Sequence, residues 1–341
     1  EKLHQQSPFV HGFYAISSYS QLSLAKSMDA VSAGWSRMTW DGTAAVLNTA
    51  EQGGNEYRIP SGYEEVAAGI AHLNLSVFMD GQELKELMAS ESGRAQAVQQ
   101  IVQELSRVYD KTGGNPYEGV TIDFEGLRAS QKEAFSDFLR QLQTAMQKLD
   151  KQLFVCVPPV LTSSAYYDGY DCQVIGELAD KVILMAYGYG PQNMDGFTGT
   201  EYYKPAATAP IASVYTALRQ AASEIPPAKL LLGFSVINTA WKIDENGKLL
   251  SETPVYPSTE TVIKRLSQSD TERGWSQTYQ QSYAIYRTED GGRYFLWYQD
   301  DASVQQALSA ARLLGVNGVS IWRLGTIPTA NTAWTWNGLL A

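Results

Sequence analysis

Short apolar segments recur along the chain with helical patterns between them, and this alternation restricts the fold more than any other feature. Eight segments are rich in β-branched and aromatic residues: 10–19, 30–40, 72–79, 119–125, 153–159, 181–189, 230–236 and 318–325. Strands that alternate with helices are typical of βα units and a parallel sheet. Eight such units predict an α/β protein with a (β/α)8 TIM barrel, which usually takes about 250 residues.

The chain has 341 residues, so the remainder must form insertions. The longest segment beyond what a barrel needs lies between the seventh and eighth predicted strands. It contains a strong hairpin signal at Asp290, Gly291 and Gly292 between two aromatic runs. We therefore predict a catalytic barrel from residues 1–236 and 304–341, with a small α+β insertion subdomain from residues 237–303.

One intervening helix has a particularly clear pattern. Apolar residues in segment 130–149 recur at steps of three and four, which places them on one face of a helix. Ser130 and Glu133 have the spacing of a capping box, so the helix is expected to begin there. Gly315 is the expected C-cap of a later helix that starts near residue 301.

The charge balance limits the class of ligand. The formal net charge is −10 and no Lys/Arg run is present, which argues against nucleic acid or an anionic membrane as a partner. A neutral or cationic ligand fits this balance, although solubility alone also explains it. No segment approaches the ~20 apolar residues of a membrane span, so membrane insertion is not expected.

No pattern for a cofactor is found in the sequence. His4, His11 and His72 lack metal-ligand spacing, and there is no dinucleotide fingerprint, P-loop or G-x-S-x-G elbow. We therefore expect neither a metal nor a nucleotide cofactor. Cys156 lies in an apolar run and is predicted to be a buried thiol. Whether it pairs with Cys172 stays open.

The segment "EGVTIDFE" (118–125) places two carboxylates in an otherwise buried strand. Thr121, Asp123 and Glu125 alternate with apolar side chains, so the two sets point to opposite faces. The apolar set is Val120, Ile122 and Phe124. In a barrel the apolar set suits the helix side, and the polar set then faces the interior near the carboxyl end, where barrel enzymes carry out their chemistry.

Two explanations are open for Asp123 and Glu125. They could pair with buried Arg or Lys in a structural network, or they could be catalytic. Close carboxylates shift each other's pKa, so one retains a proton near neutral pH, as a general acid requires. In glycoside hydrolysis two carboxylates usually flank the scissile bond. Two neighbours on one strand are hard to place on both sides of a sugar ring. One would protonate the leaving oxygen and the other would orient a nucleophile within the substrate.

The same segment resembles the active-site strand of family 18 glycoside hydrolases, D-G-x-D-x-D-x-E, a family with substrate-assisted catalysis. The resemblance implies that Glu125 is the general acid/base. It implies that Asp123 orients the substrate's N-acetyl group, whose carbonyl oxygen attacks the anomeric carbon. Tyr187, in "LMAYGYG", matches the tyrosine that hydrogen-bonds this acetamido group. No cofactor is implied.

Further positions are candidates for substrate binding by the same resemblance. Trp322 matches the tryptophan that forms the floor of the sugar pocket, and Phe13 matches the family's aromatic position on the first strand. The remaining candidates are Met185, Thr121, Tyr189, Trp297 and Asp300. The chain departs from the family pattern at Glu118, Thr121 and Gly188, where acidic aspartates are usual.

Within the family, "GVSIWRLG" (318–325) and "YFLWYQDDASVQ" (294–305) are similar to peptidoglycan N-acetylglucosaminidases of spore-forming bacteria. This implies a retaining glycosidase that cleaves β-1,4 bonds after N-acetylglucosamine in peptidoglycan, spore cortex or chitin-like glycans. It also implies a monomer that is secreted or lies at the cell surface or wall, with a spore association. Two rivals stay open. One is a lectin-like barrel that binds glycans without cleaving them, and the other is an enzyme of another class on the same fold.

Overall fold

The computed structural model describes residues 8–15, 18–49, 68–109, 113–161, 167–329, 334 and 336–340. Its strands are β1 (Phe9–Tyr14), β2 (Ala30–Trp40), β3 (Ala45–Leu47), β4 (Leu73–Met79), β5 (Gly119–Phe124), β6 (Gln152–Val157), β7 (Lys181–Leu184), β8 (Leu230–Ser235), β9 (Thr239–Ile243), β10 (Glu272–Ser276), β11 (Gln281–Arg287), β12 (Arg293–Tyr298) and β13 (Gly318–Trp322). Its α-helices are α1 (Leu22–Ser27), α2 (Gly81–Ala89), α3 (Glu91–Ser106), α4 (Lys132–Leu149), α5 (Cys172–Leu178), α6 (Ile211–Glu224), α7 (Thr259–Leu266), α8 (Asp301–Leu313) and α9 (Asn337–Leu340).

Eight parallel strands close into a barrel. They follow the order β1-β13-β8-β7-β6-β5-β4-β2, and β1 also pairs with β2. His11 of β1 lies beside Ser320 of β13 on one side and Ala30 of β2 on the other. Because β1 has a parallel neighbour on both sides, the sheet has no open edge at this point. The predicted (β/α)8 TIM barrel is therefore confirmed.

The outer face of β5 packs against helices, as its pattern predicts. The ring of Phe124 stacks on Phe138 of α4 with 5.3 Å between the ring centroids. The predicted start of this helix is wrong. Residues 129–131 form a 3-10 turn in which the Gln131 side chain accepts the Arg128 N–H at 3.0 Å, so α4 begins only at Lys132.

The chain divides into two compact units. The first comprises Glu1–Met185, Ala217–Phe234 and Leu314–Gly325, and the second comprises Ala186–Thr216, Ser235–Leu313 and Thr326–Ala341. The first unit contains the barrel strands. The second contains a four-stranded antiparallel sheet in the order β10-β11-β12-β9. The expected hairpin is present in this sheet, where β11 and β12 pair on either side of residues 288–292.

Two helix features complete the framework. The helix α8 ends at Leu313, and Gly315 follows with a φ of +77°, so the expected glycine C-cap is present. In the part of the chain that the structure describes, no helix combines the length and the apolar character needed to cross a membrane.

Candidate active site

Asp123 and Glu125 lie at the carboxyl end of β5. Asp123 is buried, with 8% of its surface exposed, and Glu125 follows the strand directly. The backbone N–H of Glu125 donates to the carbonyl of Met79 at 2.9 Å, which ties the strand end to β4. Gly126 then turns the chain away with a φ of +81°, a backbone conformation that favours glycine. These features hold both carboxyl groups at one rim of the barrel.

Asp123 and Glu125 lie two residues apart at the end of the strand, close enough for their carboxyl groups to interact. Burial raises the pKa of Asp123 well above its usual range, and the neighbouring charges of Glu125 and Asp80 act in the same direction. Burial also raises the pKa of Glu125, again with the charge of Asp80. Across the residues described, no Arg or Lys forms an ion pair with either group. The geometry therefore favours a proton-sharing pair over a structural ion-pair network.

One carboxyl oxygen of this pair is free to accept a hydrogen bond. Asp123 Oδ1 is buried and has no hydrogen-bond partner among the described residues. An unsatisfied buried acceptor destabilises the folded state by about 1–3 kcal/mol. An N–H donor on a bound molecule would relieve this penalty. The carboxyl group of Asp123 is therefore suited to accept a hydrogen bond from an amide.

Thr121 faces the barrel interior two residues before Asp123, but its hydroxyl is engaged elsewhere. It lies 2.7 Å from Ser32 Oγ and accepts a hydrogen bond from Asn74 Nδ2 at 3.1 Å. Ser32 in turn contacts His11 Nε2 at 2.7 Å. Burial lowers the pKa of His11 to about 3, so the ring is neutral. This network fills the barrel below the carboxyl pair with uncharged polar groups.

An apolar wall adjoins the pair in the same compact unit. Phe13 packs in one cluster with Cys156, and Met185 and Trp322 pack against it. The centroids of the Phe13 and Trp322 rings are 5.1 Å apart. The structure thus brings three of the predicted substrate-binding residues together. Cys156 was not among the candidates for this site, although it is a buried free thiol as expected.

Tyr187 and Tyr189 follow β7, which ends at Leu184 and not at 189. Both are partly buried and belong to the second compact unit. The Tyr189 hydroxyl donates to the Ser213 carbonyl at 3.4 Å, and burial raises the pKa of this phenol. The roles of both tyrosines in binding or catalysis stay predictions.

Trp297 and Asp300 also lie in the second unit. Trp297 is 2% exposed and its Nε1 donates to the Tyr203 carbonyl at 3.0 Å. It lines a cavity of about 640 Å³ with other aromatic residues of the same unit. Asp300 caps α8 by accepting the Ser303 N–H at 3.0 Å. These contacts give both residues a structural role, and a role in a substrate groove stays a prediction.

Sequence reasoning missed Asp80 and Cys156. Asp80 directly follows β4, so the carboxyl end of a predicted strand was the available signal. Cys156 lies on β6, and only the lateral pairing of strands places it near Asp123. As for metals, no group of three or more His, Cys, Asp or Glu side chains among the residues described is arranged so that it could hold a metal ion.

The raised pKa of the buried pair predicts a pH-dependent loss of stability. A carboxyl group whose pKa is higher in the folded state stabilises the protein while it is protonated, and this contribution disappears as the pH rises through the raised value. Asp123→Asn removes one such group. We expect the free energy of unfolding of this variant, measured by urea titration, to be higher than that of the wild type at pH 8. At pH 4 the two free energies should be closer to each other.

The matched control is Asp195→Asn, which changes an exposed aspartate in the second unit. It should shift the free energy of unfolding little at either pH. The expectation would be contradicted if the free energies of unfolding of the wild type and Asp123→Asn differed by the same amount at pH 4 and pH 8.

Known proteins resemble this chain in sequence and in fold. The family model described as "Glycosyl hydrolases family 18" matches residues 73–326, which include β5 and β13. Among curated relatives, the cortical fragment-lytic enzyme of Bacillus subtilis (strain 168) is 24% identical over 224 residues, covering 65% of this chain and 49% of that protein. The chain thus spans about half the length of the relative.

Solved structures share the fold. The spore cortex-lytic enzyme SleL of Bacillus megaterium QM B1551 superposes with a TM-score of 0.76 at 18% identity, over 98% of this chain and 73% of that one. A chitinase from Chromobacterium violaceum ATCC 12472 superposes with a TM-score of 0.72 at 21% identity, over 94% and 95% of the two chains. At these identities the similarity supports the barrel fold.

Proposed function

Since the chain belongs to the glycosyl hydrolases family 18, we propose that it is a retaining glycosidase that cleaves β-1,4 bonds on the reducing side of N-acetylglucosamine. The observation that carries this proposal is the Asp123–Glu125 pair at the carboxyl end of β5, where burial raises the pKa of both carboxyl groups. A general acid requires such a raised pKa.

The proposed mechanism begins with proton transfer from Glu125 to the glycosidic oxygen. The bond between this oxygen and the anomeric carbon breaks, and its electron pair stays on the leaving sugar. The carbonyl oxygen of the substrate's own acetamido group attacks the anomeric carbon from the opposite face and gives an oxazolinium ion. The Glu125 carboxylate then removes a proton from water. The water oxygen attacks the anomeric carbon and opens the oxazolinium ring, which restores the acetamido group. Two inversions at this carbon give net retention.

Asp123 has the second role in this proposal. The two carboxyl groups are neighbours on one strand, so they cannot flank a sugar ring as an acid and an external nucleophile. An internal nucleophile removes this requirement. Asp123 accepts the acetamido N–H, for which the unpartnered Oδ1 is suited, and its charge stabilises the oxazolinium ion. On the family resemblance, Tyr187 hydrogen-bonds the same acetamido group, and Trp322, Met185 and Phe13 contact the sugar.

The proposed substrates are glycans that contain N-acetylglucosamine, namely peptidoglycan, spore cortex or chitin-like polymers. The names of the Bacillus relatives favour the bacterial wall, and the chitinase structure keeps chitin in consideration. We accordingly propose a monomeric protein that acts outside the cell or at its wall. A lectin-like barrel is the second candidate, because Thr121 and Gly188 stand where the family usually has acids.

Product analysis tests the proposed bond. The protein is incubated with purified peptidoglycan, spore-cortex fragments and chitin oligomers, and new reducing ends are reduced with borohydride and identified by mass spectrometry. We expect the reduced end to be N-acetylglucosaminitol, and we expect the β-anomer to form first in proton NMR. New ends that are only N-acetylmuramitol would overturn the proposed specificity. Binding of these glycans without any new ends would favour the lectin.

A further inference from the structure

Cys156 lies beside Asp123 in the barrel interior. β5 and β6 are parallel neighbours, with Ile122 opposite Val155, so the next residues along the two strands are Asp123 and Cys156. This register places the Cys156 thiol beside the carboxyl group of Asp123, where it is positioned to donate a hydrogen bond. A buried thiol in contact with a proposed catalytic carboxyl group is a feature that the sequence pattern did not single out.

The surroundings of Cys156 make the thiol a hydrogen-bond donor and not a nucleophile. The residue is 1% exposed and packs among Phe13, Ile183 and Leu231. Burial raises the pKa of the thiol well above its usual range, and the adjacent carboxyl groups act in the same direction. The sulfur therefore keeps its proton, and a protonated thiol donates to a carboxylate.

Asp123 has few other groups to orient it. The titratable groups that act on it are Glu125 on its own strand, Asp80 after β4 and Cys156 on β6. Glu125 and Asp80 are acidic, so neither offers a permanent donor. Thr121 is engaged with Ser32 and Asn74. Of the three groups that act on Asp123, the Cys156 thiol is therefore the one that keeps its proton.

We propose that Cys156 is a positioning residue whose thiol donates a hydrogen bond to Asp123 and holds this carboxyl group ready to align the substrate's acetamido group. The inference rests on the proposed function, since the acetamido group is part of it. The thiol bond favours the ionised form of Asp123. Without it, Asp123 takes up a proton at higher pH, and less of the enzyme combines a protonated Glu125 with an ionised Asp123.

Infrared spectroscopy tests the hydrogen bond without any need for activity. The S–H stretching band lies in a region free of other protein bands, and the chain has two cysteines, so each band is assigned with Cys156→Ala or Cys172→Ala. We expect the Cys156 band to move to higher frequency in Asp123→Ala, because its acceptor is lost. The Cys172 band should not move. A Cys156 band at the same frequency in both proteins would overturn the proposal.

Kinetics test the positioning role. Cys156→Ala should lower kcat on chitin oligomers by about 3- to 10-fold, the typical worth of one hydrogen bond, with little change in KM. The acidic limb of the pH profile of kcat should move to higher pH in this variant. Cys156→Ser keeps a donor and should recover most of kcat, and Cys172→Ala should match the wild type.

A folded Cys156→Ala variant with the wild-type kcat and pH profile would overturn the proposal. A fold check by circular dichroism and the Cys156→Ser variant distinguish positioning from damage to the core. An inactive wild type would instead contradict the proposed function, and the infrared bands would still decide whether the thiol bonds Asp123.

Discussion

Replacing Glu125 with glutamine should lower kcat/KM on chitin oligomers by about 10²–10⁴-fold, the usual contribution of general acid–base catalysis. Glutamine has nearly the same shape as glutamate, but it neither gives a proton to the glycosidic oxygen nor removes one from water. Glycan binding, measured by calorimetry, should persist. The defect should shrink with aryl glycosides, because a good leaving group departs with little protonation.

Glu104→Gln is a matched control for this substitution. Glu104 is also buried, at 8% exposed, and burial also raises its pKa. It lies on α3, where it pairs with Arg107 at 2.7 Å. Its replacement should leave kcat unchanged, whatever it does to stability. Retention of more than a tenth of the wild-type kcat/KM by Glu125→Gln would rule out Glu125 as the general acid.

Removing the acetamido group from the substrate should lower kcat/KM still further. Cellulose oligomers have the same β-1,4 linkage as chitin oligomers but lack the internal nucleophile. Well-oriented intramolecular groups reach effective molarities of about 10⁵–10⁸ M. We therefore expect kcat/KM on cellulose oligomers to be at least about 10³-fold lower than on chitin oligomers of equal length. The measurement is reducing-end release at matched substrate concentrations.

A partly deacetylated chitin oligomer supplies the internal control. It retains the chain length and most contacts, so binding changes little, yet cleavage should never follow a glucosamine unit. Sequencing of the products by mass spectrometry shows which units precede the broken bond. Equal turnover of cellulose and chitin oligomers would exclude the substrate-assisted mechanism.

The strand β5 shows why part of this site could be predicted from the sequence. The alternation of Thr121 and Asp123 with apolar residues determines which side chains face the interior as soon as both faces of the strand are covered. Phe124 accordingly packs on α4 and Thr121 joins the interior network. Periodicity is a local property, so it needs no knowledge of neighbouring strands.

The partners of Asp123 could not be found in this way. Cys156 and Asp80 come from other strands, and their distance from Asp123 depends on lateral register, which no local pattern records. The end of β7 was misjudged for a similar reason. The N–H of Tyr189 donates to the carbonyl of Thr208 at 2.9 Å instead of joining a strand, and Gly188 turns the chain with a φ of +69°. Loop partners of this kind decide where an apolar run stops being a strand.

The closure of the barrel has a consequence for biosynthesis. His11 of β1 hydrogen-bonds Ser320 of β13, a partner 309 residues later in the chain. At about 5–20 residues per second, the ribosome needs about 15–60 s to make the intervening segment. Until then one edge of β1 has no partner, and an open edge is a site where strands from other chains add. Ring closure must therefore wait until β13 has been made, and the long sequence separation of the two strands makes it a slow contact to form.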